Sequence, residues 1–171
     1  SVDELVRASR DVELIVDLGA NVGAFSFLMR TLSPQSRIIA VEPDATNVAF
    51  LRAQPFADTL EIHQAAVGPF DGMARLIRGE NSVTHRVDLS GDAEGEVVPV
   101  ISLQALCDQP SLVKMDIEGG ERRILQCGLP KSIRHLVLEW HHRGSPADFV
   151  RGSWKRISTD IHGASTWYFR R

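Results

Sequence analysis

Five apolar runs punctuate the chain, ELIVDL, RIIAVEP, LEIHQAAVG, LVKMDI and HLVLEW, with helical patterns between most of them. Short, nearly continuous apolar runs suit strands covered on both faces, and their alternation with helices is the pattern of a parallel sheet with crossover connections. This alternation predicts an α/β fold with a Rossmann-like, mostly parallel sheet and helices on both faces. Phe25, Leu28, Met29 and Leu32 share one helical face in the segment from Gly23 to Leu32, which Ser33 and Pro34 then stop. Asp44 is placed to cap a helix that carries Val48 and Leu51 through to Gln54.

The pattern loosens between Gly68 and Gly95, where glycines and polar residues fit a short hairpin and a mobile loop, a candidate lid. EVVPVISL resumes an extended run, SLQALCDQ reads as a short capped helix, and a further helix runs from Glu121 to a stop at Gly128 to Pro130. A last helix is expected in SPADFVRGSWK. RISTDIH and STWYFRR, separated by Gly163, then read as an antiparallel pair at the sheet edge. At 171 residues the chain suits one domain, expected over residues 1–171.

A formal net charge of −3 gives no electrostatic reason to expect binding to nucleic-acid phosphates. No apolar run is long enough to span a bilayer, so neither a nucleic-acid nor a membrane partner is expected. Cys107 and Cys127 do not form a disulfide framework and are too few for a zinc site. With no charged-then-apolar leader at Ser1, a reducing, cytoplasmic setting is expected. The initiator Met is missing, and a substrate-covering segment upstream would lie outside this sequence.

In an open parallel sheet, ligands bind beyond the carboxyl ends of the strands. Four runs deliver polar residues there: Asp17 to Asn21, Glu42, Asp116 to Glu118, and Glu139 with His141 and His142. The first turn, Gly19-Ala20-Asn21-Val22-Gly23, is GxxxG rather than the GxGxxG of dinucleotide-binding folds, and it lacks the Lys-Ser or Lys-Thr of a P-loop. That suits a ligand with an amino-acid end and a nucleoside end and no phosphate between them. Glu42 is placed to accept hydrogen bonds from a ribose diol.

The segments VDLGANVGAFS, VEPDATN, AAVG and VKMDIEGGE follow one another in an order and spacing that resembles the FkbM-type S-adenosylmethionine-dependent methyltransferases, a family with a seven-stranded Rossmann-like fold ending in an antiparallel hairpin. The resemblance covers about residues 13 to 140. It implies a cofactor site in which Asp17, Gly19, Ala20, Asn21 and Gly23 shape the methionine end. Glu42 and Pro43 would serve the ribose, Ala65 and Ala66 beside Gln64 the adenine, and Asp116 the region of the sulfonium. Glu118 and Glu121 complete the DIEG-E signature without an assigned contact.

The function so implied is methyl transfer from S-adenosyl-L-methionine to a hydroxyl of a small molecule, sugar or natural product, with S-adenosyl-L-homocysteine as product. Asp116, Glu139 and His141 are the candidate catalytic residues, since a hydroxyl is a poor nucleophile until its proton leaves. His141 has the ordinary pKa best matched to neutral pH. No metal is assigned, although a divalent cation held by Asp116, Glu139 and His141 is an alternative way to activate the acceptor. A non-catalytic nucleoside-binding scaffold and an NAD-dependent oxidoreductase are the rival readings. Arg78, His85 and Arg86 are weighed as contacts to an anionic substrate, and Trp140, Trp154 and Trp167 as packing residues. The sequence leaves the oligomeric state open.

Overall fold

A computed structural model describes residues 2–79, 85–90, 92–150, 152–159 and 166–171. A seven-stranded sheet is formed by β1 (Leu14–Leu18), β2 (Arg37–Glu42), β3 (Glu61–Gln64), β8 (Ser111–Met115), β9 (Ile133–Glu139), β10 (Lys155–Thr159) and β11 (Thr166–Arg170). Their order is β10-β11-β9-β8-β1-β2-β3. β1 pairs in parallel with both β2 and β8, and β11 runs antiparallel to both β9 and β10. The α/β Rossmann-like sheet with its C-terminal antiparallel pair is therefore as expected, with one refinement. β11 inserts between β9 and β10, so the last strand of the chain is inside the sheet and β10 is its edge. The turn read at Gly163 lies outside the described residues.

Side chains of β1 alternate between two cores. Leu14, Val16 and Leu18 join one cluster with Val113, Met115, Leu136 and Leu138, while Ile15 joins another with Met29, Ile38 and Leu112. All five β1 residues are buried, as a central parallel strand requires. The second cluster is closed by a helix not foreseen from the sequence, α1 (Val2–Arg10), which delivers Leu5 and Ala8. Val2, Leu5 and Val6 fall on one helical face, with Asp3 and Glu4 in the first turn and Arg7 and Arg10 in the last, a short amphipathic pattern that packing against the sheet fixes.

α2 (Ala24–Leu32) and α3 (Ala45–Arg52) fall where expected. Asp44 accepts hydrogen bonds from Thr46 N and Asn47 N, a cap contributing about 1 kcal/mol. α4 (Leu103–Leu106) is capped by Ser102, and α5 (Glu121–Cys127) ends at Gly128. The helix expected in SPADFVRGSWK is instead one 3-10 turn, Pro146–Asp148. Gly152, at φ 91°, turns the backbone left-handed within that stretch and stops further winding.

LEIHQAAVG is likewise divided. β3 ends at Gln64, and β4 (Ala66–Gly68) leaves for a second sheet with β5 (Gly72–Ile77), β6 (Arg86–Asp88) and β7 (Glu96–Ser102), ordered β4-β7-β5-β6. The segment expected to hold a hairpin and lid contributes β5 and β6, which are antiparallel; residues 80–84, at the centre of that expected lid, lie outside the described residues. Ala66, Ala74, Leu76, Val98 and Val100 form this sheet's own core.

Gly19 sets the spacing between the ends of β1 and β8. Its φ is +74°, and an added Cβ would overlap the Asp116 carbonyl oxygen. Gly19→Ala is thus expected to destabilise the protein by about 2 kcal/mol or more, from left-handed backbone strain plus backbone displacement. Thermal unfolding checks this, and a midpoint equal to that of the wild type would show that the two strand ends separate freely.

Candidate active site

The carboxyl ends of β1, β2, β8 and β9 converge on a cavity of about 290 Å³. Gly19 and Asn21 line it from the first turn, Glu42 and Pro43 from the end of β2, and Ala65 to Val67 from the crossover into the second sheet. Asp116, Ile117, Glu118, Gly120 and Glu139 form the opposite end. His85, Val87 and Leu89 reach in beside the second sheet; His85 is weighed as a substrate contact on the sequence alone, whereas Val87 and Leu89 are not signalled there, because β6 is only three residues long.

Asn21 adopts φ 50°, a left-handed conformation that Asn tolerates better than most side chains. Its backbone N–H donates to Glu42 Oε2 at 2.9 Å. Glu42 Oε1 accepts from Asp44 N at 3.0 Å and Asn47 Nδ2 at 3.2 Å. The carboxylate is therefore fixed by three donors yet still lines the cavity, with acceptor capacity left on Oε2. Asn21 Oδ1 is buried and has no hydrogen-bond partner among the described residues. An unmatched buried acceptor beside a cavity calls for a donor from elsewhere.

Asp17, Ala20 and Gly23, expected at the cofactor, do not line the cavity. Asp17 is fully buried beneath it: Oδ2 accepts from Ser26 Oγ at 2.7 Å, and Oδ1 lies 3.3 Å from Lys114 Nζ. Ala20 packs with Ala40 and Leu51. At Gly23 (φ +90°) a Cβ would strike the Leu51 side chain. These three shape the turn from behind because the chain folds back toward α2 after the second cavity residue. Gln64, at the end of β3, also stays outside the lining.

Asp116 and Glu139 line the opposite end, and His141, which does not line the cavity, lies beside both. His141 Nε2 lies 3.8 Å from Asp116 Oδ1, 3.7 Å from Glu139 Oε1 and 3.5 Å from Glu118 Oε2. Its Nδ1 lies 2.9 Å from Glu121 Oε1. The hydrogen bond to Glu121, reinforced by the surrounding carboxylates, outweighs desolvation and pushes the His141 pKa up to about 9. At neutral pH the ring is an imidazolium, so the ordinary histidine pKa assumed from the sequence does not apply here. Burial raises the pKa of Glu118 and of Glu139. Donor atoms of Asp116, Glu139 and His141 lie within 4.8 Å of one another, a spread that a divalent cation can bridge; in the structure the His141 Nε2 proton faces these carboxylates.

Of the basic residues weighed for an anionic substrate, Arg78 and His85 both face Asp44. Arg78 pairs with Asp44 Oδ2 at 2.6 Å and with Glu96 at 3.0 Å. His85 accepts at Nδ1 from Gly79 N, which leaves Nε2–H facing Asp44 at 3.4 Å. Asp44 thus caps α3 and also ties the second sheet to the end of β2. Trp140 is a packing residue, buried against Phe149 with Nε1–H donating to Gly144 O.

A seven-stranded sheet with β11 antiparallel beside β9, and a cavity at the carboxyl ends of its parallel strands, define the Rossmann-like methyltransferase class. Residues 17–157 match the methyltransferase FkbM domain model, and the chain belongs to that family. Among solved structures, a presumed O-methyltransferase from Klebsiella pneumoniae superposes with a TM-score of 0.51 at 11% identity, over 98% of this chain and 76% of that one. A ribosomal protein L11 methylase from Lactobacillus delbrueckii subsp. bulgaricus gives 0.50 at 8% identity, over 99% and 78%. Both likenesses concern the fold. No curated protein matches the chain. Among the described residues, no helix is long and apolar enough to cross a membrane.

The His141 shift has a defined consequence for stability. A histidine whose folded pKa lies above its unfolded value of 6.5 contributes stability that is complete below about 6.5 and is lost as pH rises through about 9. His141→Gln should remove this slope. The wild-type advantage at pH 6 is expected to shrink by about 2 kcal/mol at pH 9.5, discounted from full linkage because the ring is partly in water. Urea unfolding of both proteins at the two pH values measures it, and parallel curves would contradict the shift.

Proposed function

We propose that the chain is an S-adenosylmethionine-dependent O-methyltransferase acting on a hydroxyl of a small molecule, sugar or natural product. The observation that carries this reading is the polarity of the cavity. One end offers Glu42 and the first turn at Asn21; the other offers Asp116, Glu118 and Glu139. S-adenosylmethionine, when bound, supplies a methyl group already activated on a sulfonium.

In this reading Glu42 accepts from the ribose hydroxyls, and Asn21, whose backbone N–H holds Glu42, shapes the amino-acid end. Pro43 closes the ribose side. Ala65 and Ala66 leave room for a flat base, with Val67, Val87 and Leu89 as apolar walls. Gly19, having no side chain, lets the Asp116 backbone close against the first turn. Asp17, Ala20 and Gly23 act as supports for that turn rather than as contacts.

Glu139 is our candidate for the group that takes the acceptor's hydroxyl proton, with Asp116 beside it. Its burial raises its proton affinity in the direction a base at neutral pH requires. His141 is a catalytic-site cation in this scheme, since an imidazolium has no proton vacancy to offer. The carboxylate-rich end favours neutral or cationic acceptors over nucleic acid. The cavity takes residues from both sheets, which supports reading residues 1–171 as one methyltransferase domain. Two free cysteines, one exposed, suit a cytoplasmic setting.

Isothermal titration with S-adenosylhomocysteine, alongside NAD and a Glu42→Gln variant, is the direct test. We expect binding to the wild type, no NAD signal, and a loss in the variant of about 10-fold or more, since hydrogen bonds to a charged acceptor contribute about 1.5–3 kcal/mol. A screen of hydroxylated acceptors with labelled donor should then show transfer that Glu139→Gln and Asp116→Asn each reduce by about 100-fold. Cofactor binding without transfer to any acceptor would favour a scaffold, and no cofactor binding by the folded chain would overturn the reading.

A further inference from the structure

Glu121 opens α5 and has no exposed surface. A carboxylate removed from water is costly unless its lone pairs are met. Oε1 accepts from Gly119 N at 3.1 Å, from Ile117 N at 3.2 Å and from His141 Nδ1 at 2.9 Å. Oε2 lies 3.1 Å from His142 Nε2, close enough for charge attraction but not aligned for a hydrogen bond. One buried group therefore joins the loop after β8 to the residues after β9. Bracing that loop, in which Glu118 and Gly119 take φ of 52° and 100°, needs only the two backbone bonds. The third bond, to His141, is additional and reaches 20 residues along the chain.

That third bond decides which way the ring faces. With Nδ1 held inward, Nε2 is directed at Asp116 from the end of β8, Glu118 from the loop and Glu139 from β9. The remaining charged neighbour, Lys114, lies beyond Asp116 with Nζ 3.4 Å from Asp116 Oδ2. Among these groups His141 is the cation placed between the carboxylates, and a ring free to rotate would leave them to repel one another.

Resting on the methyltransferase reading above, we propose that Glu121 is a positioning residue. By accepting from His141 Nδ1–H it turns Nε2–H toward Asp116, Glu118 and Glu139, and so holds a fixed counter-cation beside the carboxylate that takes the acceptor's proton. Carboxylate–imidazole pairs that fix a ring by one nitrogen and present the other are an established way of setting histidine orientation and charge. Glu121 itself touches neither acceptor nor cofactor.

The test is Glu121→Gln, whose amide oxygen can still accept from Ile117 N, Gly119 N and His141 Nδ1–H, which keeps the loop brace, while the carboxylate charge that favours the ring's cationic form is removed. The His141 ring, followed by NMR, should titrate near pH 9 in the wild type and at least about 1 pH unit lower in the variant. Affinity for S-adenosylhomocysteine should stay within about 2-fold, while kcat for the acceptor found in the screen falls on the order of 10-fold. The alkaline limb of its pH profile should move downward with the ring's titration, because Glu139 loses its neighbouring cation at a lower pH. An unchanged His141 titration overturns the proposal, and so does loss of cofactor affinity in parallel with kcat, the mark of a loop brace alone. His141→Asn leaves Glu121 and its loop bonds in place and removes the cation at every pH, so it must show the kcat loss and an acid limb moved upward, because Glu139 then keeps its proton longer. If it changes neither, the proposal fails whatever Glu121→Gln does. Failure of the wild type to bind S-adenosylhomocysteine would instead remove the methyltransferase reading, and the NMR titration would still report on the Glu121–His141 contact.

Discussion

One ammonium group holds the centre of this fold together. Lys114 sits opposite Asp17 in the β1–β8 register, and its Nζ donates to Gly19 O at 2.8 Å while lying 3.3 Å from Asp17 Oδ1 and 3.4 Å from Asp116 Oδ2. Burial alone would depress the Lys114 pKa, but the two aspartates raise it, so the charge stays in place. Removing one partner of such a buried set leaves an uncompensated charge and typically costs about 3–5 kcal/mol. The arrangement joins the two strand ends between which the cavity opens. Gly19 permits it, because any side chain there would push the ends apart.

The residues readable from the sequence are those whose placement follows from local rules. Asp17, Glu42, Asp116 and Glu139 each close or directly follow an apolar run, and strand ends in a parallel sheet share one edge. That reasoning put them in the right neighbourhood. It could not separate Asn21, which lines the cavity, from Asp17, four residues earlier and wholly beneath it, because the direction of each side chain depends on how α2 folds back. The second sheet was illegible for a related reason. β4 and β6 are three residues each, too short for alternation to declare itself, and β4 pairs with β7 more than 30 residues on. α1 has its meaning only once Ile15, Met29 and Leu112 are present to receive it.

His141 shows how far an environment can reverse a local expectation. As a residue in a chain it titrates near neutrality and reads as the natural base. Surrounded by Glu121, Glu118, Asp116 and Glu139, it is held as a cation well above that range. Nothing in the spacing of DIEGGE and EWHH announces that Glu121 and His141 will meet, since β8, α5 and β9 must all be in place first.

The two ends of the cavity are consequently built on opposite electrostatic plans. Glu42 is anchored by neutral donors, Asn21 N, Asp44 N and Asn47 Nδ2, which fix its direction without cancelling its charge. A carboxylate prepared in that way can bind a diol with little reorganisation. Across the cavity, Glu118 and Glu139 are raised toward protonation by burial and by neighbouring carboxylates, Asp116 and Glu121 among them, with His141 as an opposing charge. Groups poised in that manner exchange protons more readily than groups locked into backbone bonds. A binding end that is rigid and a second end that is titratable suit the proposed methyl transfer to a hydroxyl: in that proposal the first holds position, and the second receives what the hydroxyl must lose.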